Sequence, residues 1–146
     1  MIAIRDKVRF VETDMMGVAH HSNYFRWFEM GRVEYLRQAG ISLLELMDQN
    51  ILFPIKDVSC QYLVSARFDD TIIIETAMED LSRAKMIFRY RVLREKDGVL
   101  LATGRTQNVF TDTTGKVIRL PQNIYHSLQL FAATDLGNVN LPSLKG

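Results

Sequence analysis

Asn23-Tyr24-Phe25-Arg26-Trp27-Phe28-Glu29-Met30-Gly31-Arg32-Val33-Glu34-Tyr35-Leu36-Arg37-Gln38-Ala39 is the stretch that decides the fold. Tyr24, Phe28, Gly31, Tyr35 and Ala39 follow spacings of 4, 3, 4 and 4, those of one helix face, and Gly40 supplies a C-terminal stop. Phe25, Trp27, Met30, Val33 and Leu36 project to the flanks and back of that face, so the helix is apolar on more than one side. Such a helix must be wrapped by other elements.

The wrapping material lies downstream. After a short helix at Ser42 to Gln49, where Ser42 and Glu45 have capping-box spacing, the chain changes character at Pro54. Val58 to Val64, Thr71 to Asp80, Lys85 to Arg94 and Val99 to Thr111 are rich in β-branched and aromatic residues and read as four strands. Short turns at Asp69-Asp70, Leu81-Ser82-Arg83 and Lys96-Asp97-Gly98 imply sequential antiparallel pairing. Met86, Phe88, Tyr90 and Val92 alternate with Ile87, Arg89, Arg91 and Leu93, giving the sheet one apolar face that needs a cover. Upstream, Ile2 to Glu12 reads as a first strand, and downstream Pro121 opens a last helix at Gln122 to Phe131. The tail beyond Ala132, with Gly137, Pro142 and Gly146, is expected to pack loosely. The economical result is an α+β fold, a curved antiparallel sheet around the long helix.

At 146 residues the chain is expected to form a single domain, 1–146. Its 18 basic and 17 acidic residues give a net charge of +1, which leaves no basic footprint for nucleic acid and makes any anion recognition local. No apolar run approaches a membrane span, and Met-Ile-Ala-Ile-Arg-Asp-Lys lacks the order of a signal peptide, so a cytoplasmic protein is expected. Cys60 is the single cysteine; it excludes an intrachain disulfide and reads as a small core residue of a strand. GxSxG and P-loop motifs are absent, which removes the serine-hydrolase and nucleotide-hydrolase readings.

The segment Thr13 to His21 breaks the strand pattern and leads into the helix start. Gly17 permits a tight or left-handed backbone there, and Ser22 or Asn23 is an N-cap candidate. By itself Asp14 reads as a turn or cap residue, since Asp-x-x-Gly is common in loops. The adjacent His20 and His21 lack the helical-turn separation of metal-ligand pairs, so no metal site is expected.

The wording of this region changes the reading of Asp14. Val8-Arg9-Phe10, Glu12-Thr13-Asp14, Gly17-Val18, His21, Asn23-Tyr24, Arg26-Trp27-Phe28-Glu29 and Arg32 together resemble the opening of the 4-hydroxybenzoyl-CoA thioesterase-like hotdog proteins. The likeness continues more weakly through Ala66-Arg67-Phe68-Asp69-Asp70 to Arg119-Leu120-Pro121. It implies a hotdog fold and an acyl-CoA thioesterase acting on a small or medium acyl group, with Asp14 as the catalytic carboxylate, either nucleophile or general base. The backbone N–H at His21 would polarise the thioester carbonyl, and His21 is the second catalytic candidate. Backbone donors at a helix start suit that task, since they present unpaired N–H groups and partial positive charge to a developing oxyanion.

Gly17, Asn23, Arg67 and Arg83 are the substrate-binding candidates, Asn23 either capping the helix or reaching Asp14. Lys85, Arg89 and Arg91 are further candidates for the phosphates of CoA, against the ordinary alternative of a charged solvent face. His126 reads as a surface or interface residue, and Phe25, Trp27 and Met30 as acyl pocket, dimer seam or core. The resemblance also implies a homodimer or homotetramer and no cofactor beyond the CoA of the substrate. An aromatic acyl-CoA substrate and a non-catalytic acyl-CoA-binding module remain as alternatives.

Overall fold

The wrapping demanded by the long apolar helix is met in the computed structural model, which describes residues 1–137. Helix α1, Ser22–Gln38, lies on an antiparallel sheet of β1 (Ile2–Lys7), β2 (Ile55–Tyr62), β3 (Thr71–Leu81), β4 (Lys85–Arg94) and β5 (Leu100–Val109), in the order β1-β3-β4-β5-β2. Helix α2 spans Leu43–Asp48, and Ser42 caps it by accepting the Glu45 N–H at 3.0 Å. Together these elements are the expected α+β hotdog arrangement. No helix among the described residues is long and apolar enough to cross a membrane.

The buried side of α1 consists of Tyr24, Trp27, Phe28, Gly31, Arg32, Tyr35 and Leu36, wider than the expected face by Trp27, Arg32 and Leu36. Against it stand Met86, Phe88, Tyr90 and Val92 of β4, all buried. Phe28 stacks on Tyr90 with ring centroids 4.4 Å apart. Beside that pair Gly104 of β5 is required, because a Cβ there would fall 2.2 Å from the Phe28 ring.

Three expectations are corrected. The first strand ends at Lys7, and Phe10–Glu12 form a short 3-10 helix, because Glu12 turns inward and its carboxylate accepts the Arg9 N–H at 2.7 Å. Sequential pairing holds for β3, β4 and β5, but β2 pairs with β5 and not with β3. Residues 63–70 carry the chain across to the other side of the sheet, where β1 pairs with β3. The last helix, α3, runs Gln122–Gly137, six residues beyond Phe131, because Ala132 and Asp135 continue its buried stripe. Asp135 accepts the Tyr35 hydroxyl at 2.6 Å and the Met78 N–H at 3.1 Å, tying α3 to α1 and β3. Pro142 and Gly146 of the expected loose tail lie outside the described residues.

Candidate active site

The loop between the 3-10 helix and α1 is built on Glu12. Its buried carboxylate forms an ion pair with Arg26 and accepts the Trp27 Nε1–H at 3.3 Å, so one side chain fixes the first turns of α1. Its carbonyl accepts the His20 N–H and the Asn23 Nδ2–H, both at 2.8 Å. Asn23 also donates to the His20 carbonyl at 3.2 Å, and therefore neither caps the helix nor reaches Asp14. The N-cap position is His21, without a side-chain cap.

Asp14 sits in a tight turn closed by Gly17 N–H donating to its carbonyl at 3.1 Å, with Gly17 in the left-handed region at φ +79°. Its Oδ1 accepts the Met16 N–H at 2.8 Å and, weakly, the Val18 N–H at 3.4 Å. Oδ2 accepts no hydrogen bond among the described residues. The carboxylate is thus oriented by one oxygen and open at the other.

Asp14 and His21 share a cavity of about 240 Å³ with Ala19, Tyr24, Tyr62, Leu63, Val64 and Ser65. Tyr62 donates its hydroxyl to the His21 carbonyl at 3.2 Å, holding the helix start against β2. The His21 N–H meets no acceptor among the described residues. Desolvation and the neighbouring Cys60 thiol push the Tyr62 phenol up to about 12, and desolvation also raises Tyr24, so both remain protonated at neutral pH. Cys60 itself is half-buried against the core, and burial pushes its thiol up, away from nucleophile behaviour.

The fold therefore brings Asp14, Gly17, His21 and Asn23 together at the start of α1. Arg67 joins them through the Val18–Arg67 bridge; its side chain is exposed and forms no ion pair among the described residues. Arg83 is not brought in: it lies beyond the far end of β3, where its Nε donates to the Leu120 carbonyl at 2.9 Å. Arg89 pairs with Glu79, Arg91 with Glu75 at 3.4 Å and Lys85 with Asp80 at 3.9 Å, so these cations are matched locally. His20 stacks beside His21 with centroids 4.1 Å apart, and its Nδ1 lies 2.8 Å from the Ser22 hydroxyl. His126 is exposed on α3. Trp27 is core, Met30 is half-buried, and Phe25 lines a second cavity between α1 and β2. Sequence reasoning missed Glu12, which looked like a strand residue, and Tyr62, whose approach to His21 depends on tertiary packing.

Comparison with known proteins bears on the family and the fold. The acyl-CoA thioesterase YbgC of Haemophilus influenzae is 29% identical over 129 residues, covering 84% of this chain and 93% of the relative. Among solved structures, Thermus thermophilus TT1821 superposes with a TM-score of 0.82 at 37% identity, covering 88% of this chain and 98% of that one. The DHNA-CoA thioesterase of Staphylococcus aureus gives 0.85 at 31% identity, covering 93% and 92%. The model of the thioesterase-like superfamily matches residues 8–128, and the chain belongs to that family.

Proposed function

We propose that the chain hydrolyses acyl-CoA thioesters to a free acid and CoA, with Asp14 as the catalytic carboxylate. The observation that carries this reading is the half-anchored Asp14, with Oδ1 held by backbone N–H groups and Oδ2 open, in one cavity with an unengaged N–H at the start of α1. A thioester carbonyl seated between them would receive an oxygen from Asp14, or from a water that Asp14 deprotonates. Its developing oxyanion would lie against the His21 N–H and the positive end of the helix. In net terms a C–O bond to water's oxygen forms, the C–S bond breaks, and the thiolate takes a proton. With a thiol pKa of about 8–9 the leaving group requires no cofactor.

Arg67, exposed and bridged to Val18 of the Asp14 loop, would meet a CoA phosphate, whereas Arg83 stands at the other end of the same chain's sheet. Assembly is part of the reading. Among the described residues strand β2 pairs only with β5, which leaves its outer edge open, and Ile55, Val58 and Tyr62 are exposed along it. Antiparallel pairing of two β2 strands about Val58–Ser59 would form a dimer with Ile55 of the partner subunit opposite Tyr62. A pair of such dimers would give the tetramer. An aromatic acyl group is a second reading, favoured by the likeness to the DHNA-CoA thioesterase and by the tyrosines at the cavity.

A panel of acyl-CoA esters of varied length and aromatic character, followed by free-thiol release, tests the proposal. Wild type hydrolyses at least one ester. Asp14→Asn loses about 10²–10⁴-fold in kcat, the range for an acid–base or nucleophilic group. Near wild-type turnover by Asp14→Asn would overturn the mechanism, and no hydrolysis of any ester would favour a binding module. His21→Ala keeps the backbone donor and is expected to lose less than Asp14→Asn.

A further inference from the structure

Another cavity is larger than the one holding Asp14. It has a volume of about 650 Å³, within the usual range for a small organic ligand, and lies between α1, α2, the segment 51–55 and the loop 111–115. Leu43, Met47, Ile51 and Phe53 contribute apolar walls. Buried polar side chains interrupt them: Thr111 at 5% exposure, and two that carry unpartnered atoms, Arg32 at 7% and Asn108 at 1%.

Both are incompletely satisfied. Arg32 Nη1 donates to the Tyr90 hydroxyl at 3.2 Å, but its Nε has no partner and the guanidinium forms no ion pair among the described residues. Asn108 donates through Nδ2 to the Phe53 carbonyl at 2.6 Å, while its Oδ1 accepts nothing. A buried guanidinium without a counter-charge is costly, and an incoming oxygen that pairs with it recovers part of that cost. Glu29 and Asp112 are the acidic side chains lining the same cavity; Glu29 is exposed, Asp112 accepts from Thr114 and the Lys116 N–H, and neither forms an ion pair with Arg32 among the described residues.

Arg32 lies eleven residues along α1 from His21, about 16 Å at 1.5 Å per residue, so within one chain it is remote from Asp14. The dimer proposed above removes that distance. Tyr62 lines the Asp14 cavity at one end of β2, and Ile55 lines the Arg32 cavity at the other. A two-fold axis through Val58–Ser59 sets the partner's Ile55 opposite Tyr62, and so sets the partner's large cavity beside Asp14.

Resting on the thioesterase reading, we propose that the partner's Arg32 is a specificity-determining residue. It selects acyl groups whose far end carries a carboxylate or phenolic oxygen, with the Asn108 Oδ1 of the partner subunit available to a hydroxyl hydrogen. Arg presents a planar set of donors suited to such oxygens, and an apolar acyl tail would leave them unpaired.

Two substrate pairs test this in the intact oligomer: adipoyl-CoA against hexanoyl-CoA for a carboxylate, and 4-hydroxybenzoyl-CoA against benzoyl-CoA for a phenol. In wild type, kcat/KM favours the oxygen-bearing member of at least one pair by about tenfold or more, as a hydrogen bond to a charged group allows. Arg32→Met brings that ratio to one or below, and Arg32→Lys recovers part of it. Should Arg32→Met fail to fold, inhibition of wild type by the free acids decides, since adipate or 4-hydroxybenzoate must then inhibit at about one tenth the concentration of hexanoate or benzoate. Asp14-dependent hydrolysis without preference in either pair overturns this inference alone. So does an Arg32→Met variant that dissociates while its ratio is unchanged, which would assign Arg32 to an inter-subunit ion pair. Failure to hydrolyse any ester overturns the thioesterase reading as well.

Discussion

Replacing Glu12 by Gln removes one negative charge and almost no volume, so it isolates what that buried carboxylate holds in place. Its oxygens accept the Arg9 N–H at 2.7 Å and the Trp27 Nε1–H at 3.3 Å, and it pairs with Arg26. A glutamine oxygen can keep one of these donors, but its NH2 group then faces another donor. Hydrogen bonds to a charged group contribute about 1.5–3 kcal/mol each, and the Arg26 pair is discounted to about 1 kcal/mol or less because its guanidinium is half exposed. The expected loss is about 2–3 kcal/mol, or about 4–12 °C in Tm at about 2–4 °C per kcal/mol for a chain of this size. Thermal unfolding followed by far-UV circular dichroism measures it. The same substitution loosens the loop that sets Asp14 against His21, so kcat falls about tenfold at 25 °C, where the protein remains folded. A Tm within about 2 °C of wild type together with an unchanged kcat would refute the role given to Glu12.

Other consequences follow from packing and charge. Gly104→Ala drives a methyl group into the Phe28 ring and destabilises by about 1–3 kcal/mol in denaturant titration, whereas unchanged stability would contradict the packing of α1 on β5. Burial raises the Tyr90 phenol to about 12, against an unfolded value near 10, so the folded state keeps its proton when the unfolded chain has lost it. Stability from this group is complete below pH 10 and is lost as pH rises through 12, and Tyr90→Phe makes that decline shallower by up to one proton. Val58→Lys places like charges together at the proposed two-fold axis, and sedimentation should show monomers with reduced hydrolysis; a persistent oligomer would contradict pairing through β2.

Much of the fold was legible because two periodicities are strong. The repeat from Tyr24 to Ala39 identified α1, and the alternation from Met86 to Val92 identified the sheet face that receives it. The place of β2 was not legible: the segment 63–70 holds no periodic signal, and pairing with β5 is a long-range outcome that local turn chemistry does not encode. Glu12 misled for a related reason, since a charged residue at the end of an alternating stretch suggests a strand, while Arg26 and Trp27 make it a buried anchor. Arg32 likewise reads as the polar side of a helix, and its burial depends on Tyr90 and the curvature of the sheet. The wording of its loop singles out Asp14, but the orientation of its carboxylate by the Met16 and Val18 N–H groups depends on the turn at Gly17, which the wording does not specify. Of the basic residues considered for phosphate contact, Arg67 and Arg83 look alike in sequence, and only the topology puts Arg67 beside Asp14.

The most direct test separates binding from chemistry at Asp14. Under single-turnover conditions with the best acyl-CoA ester of the panel, Asp14→Asn is expected to bind substrate within a few-fold of the wild-type Kd, because the amide preserves shape. Its rate constant for thiol release falls by at least about 10²-fold. A single-turnover rate within tenfold of wild type would contradict the assignment of Asp14 as the catalytic carboxylate, whether nucleophile or general base.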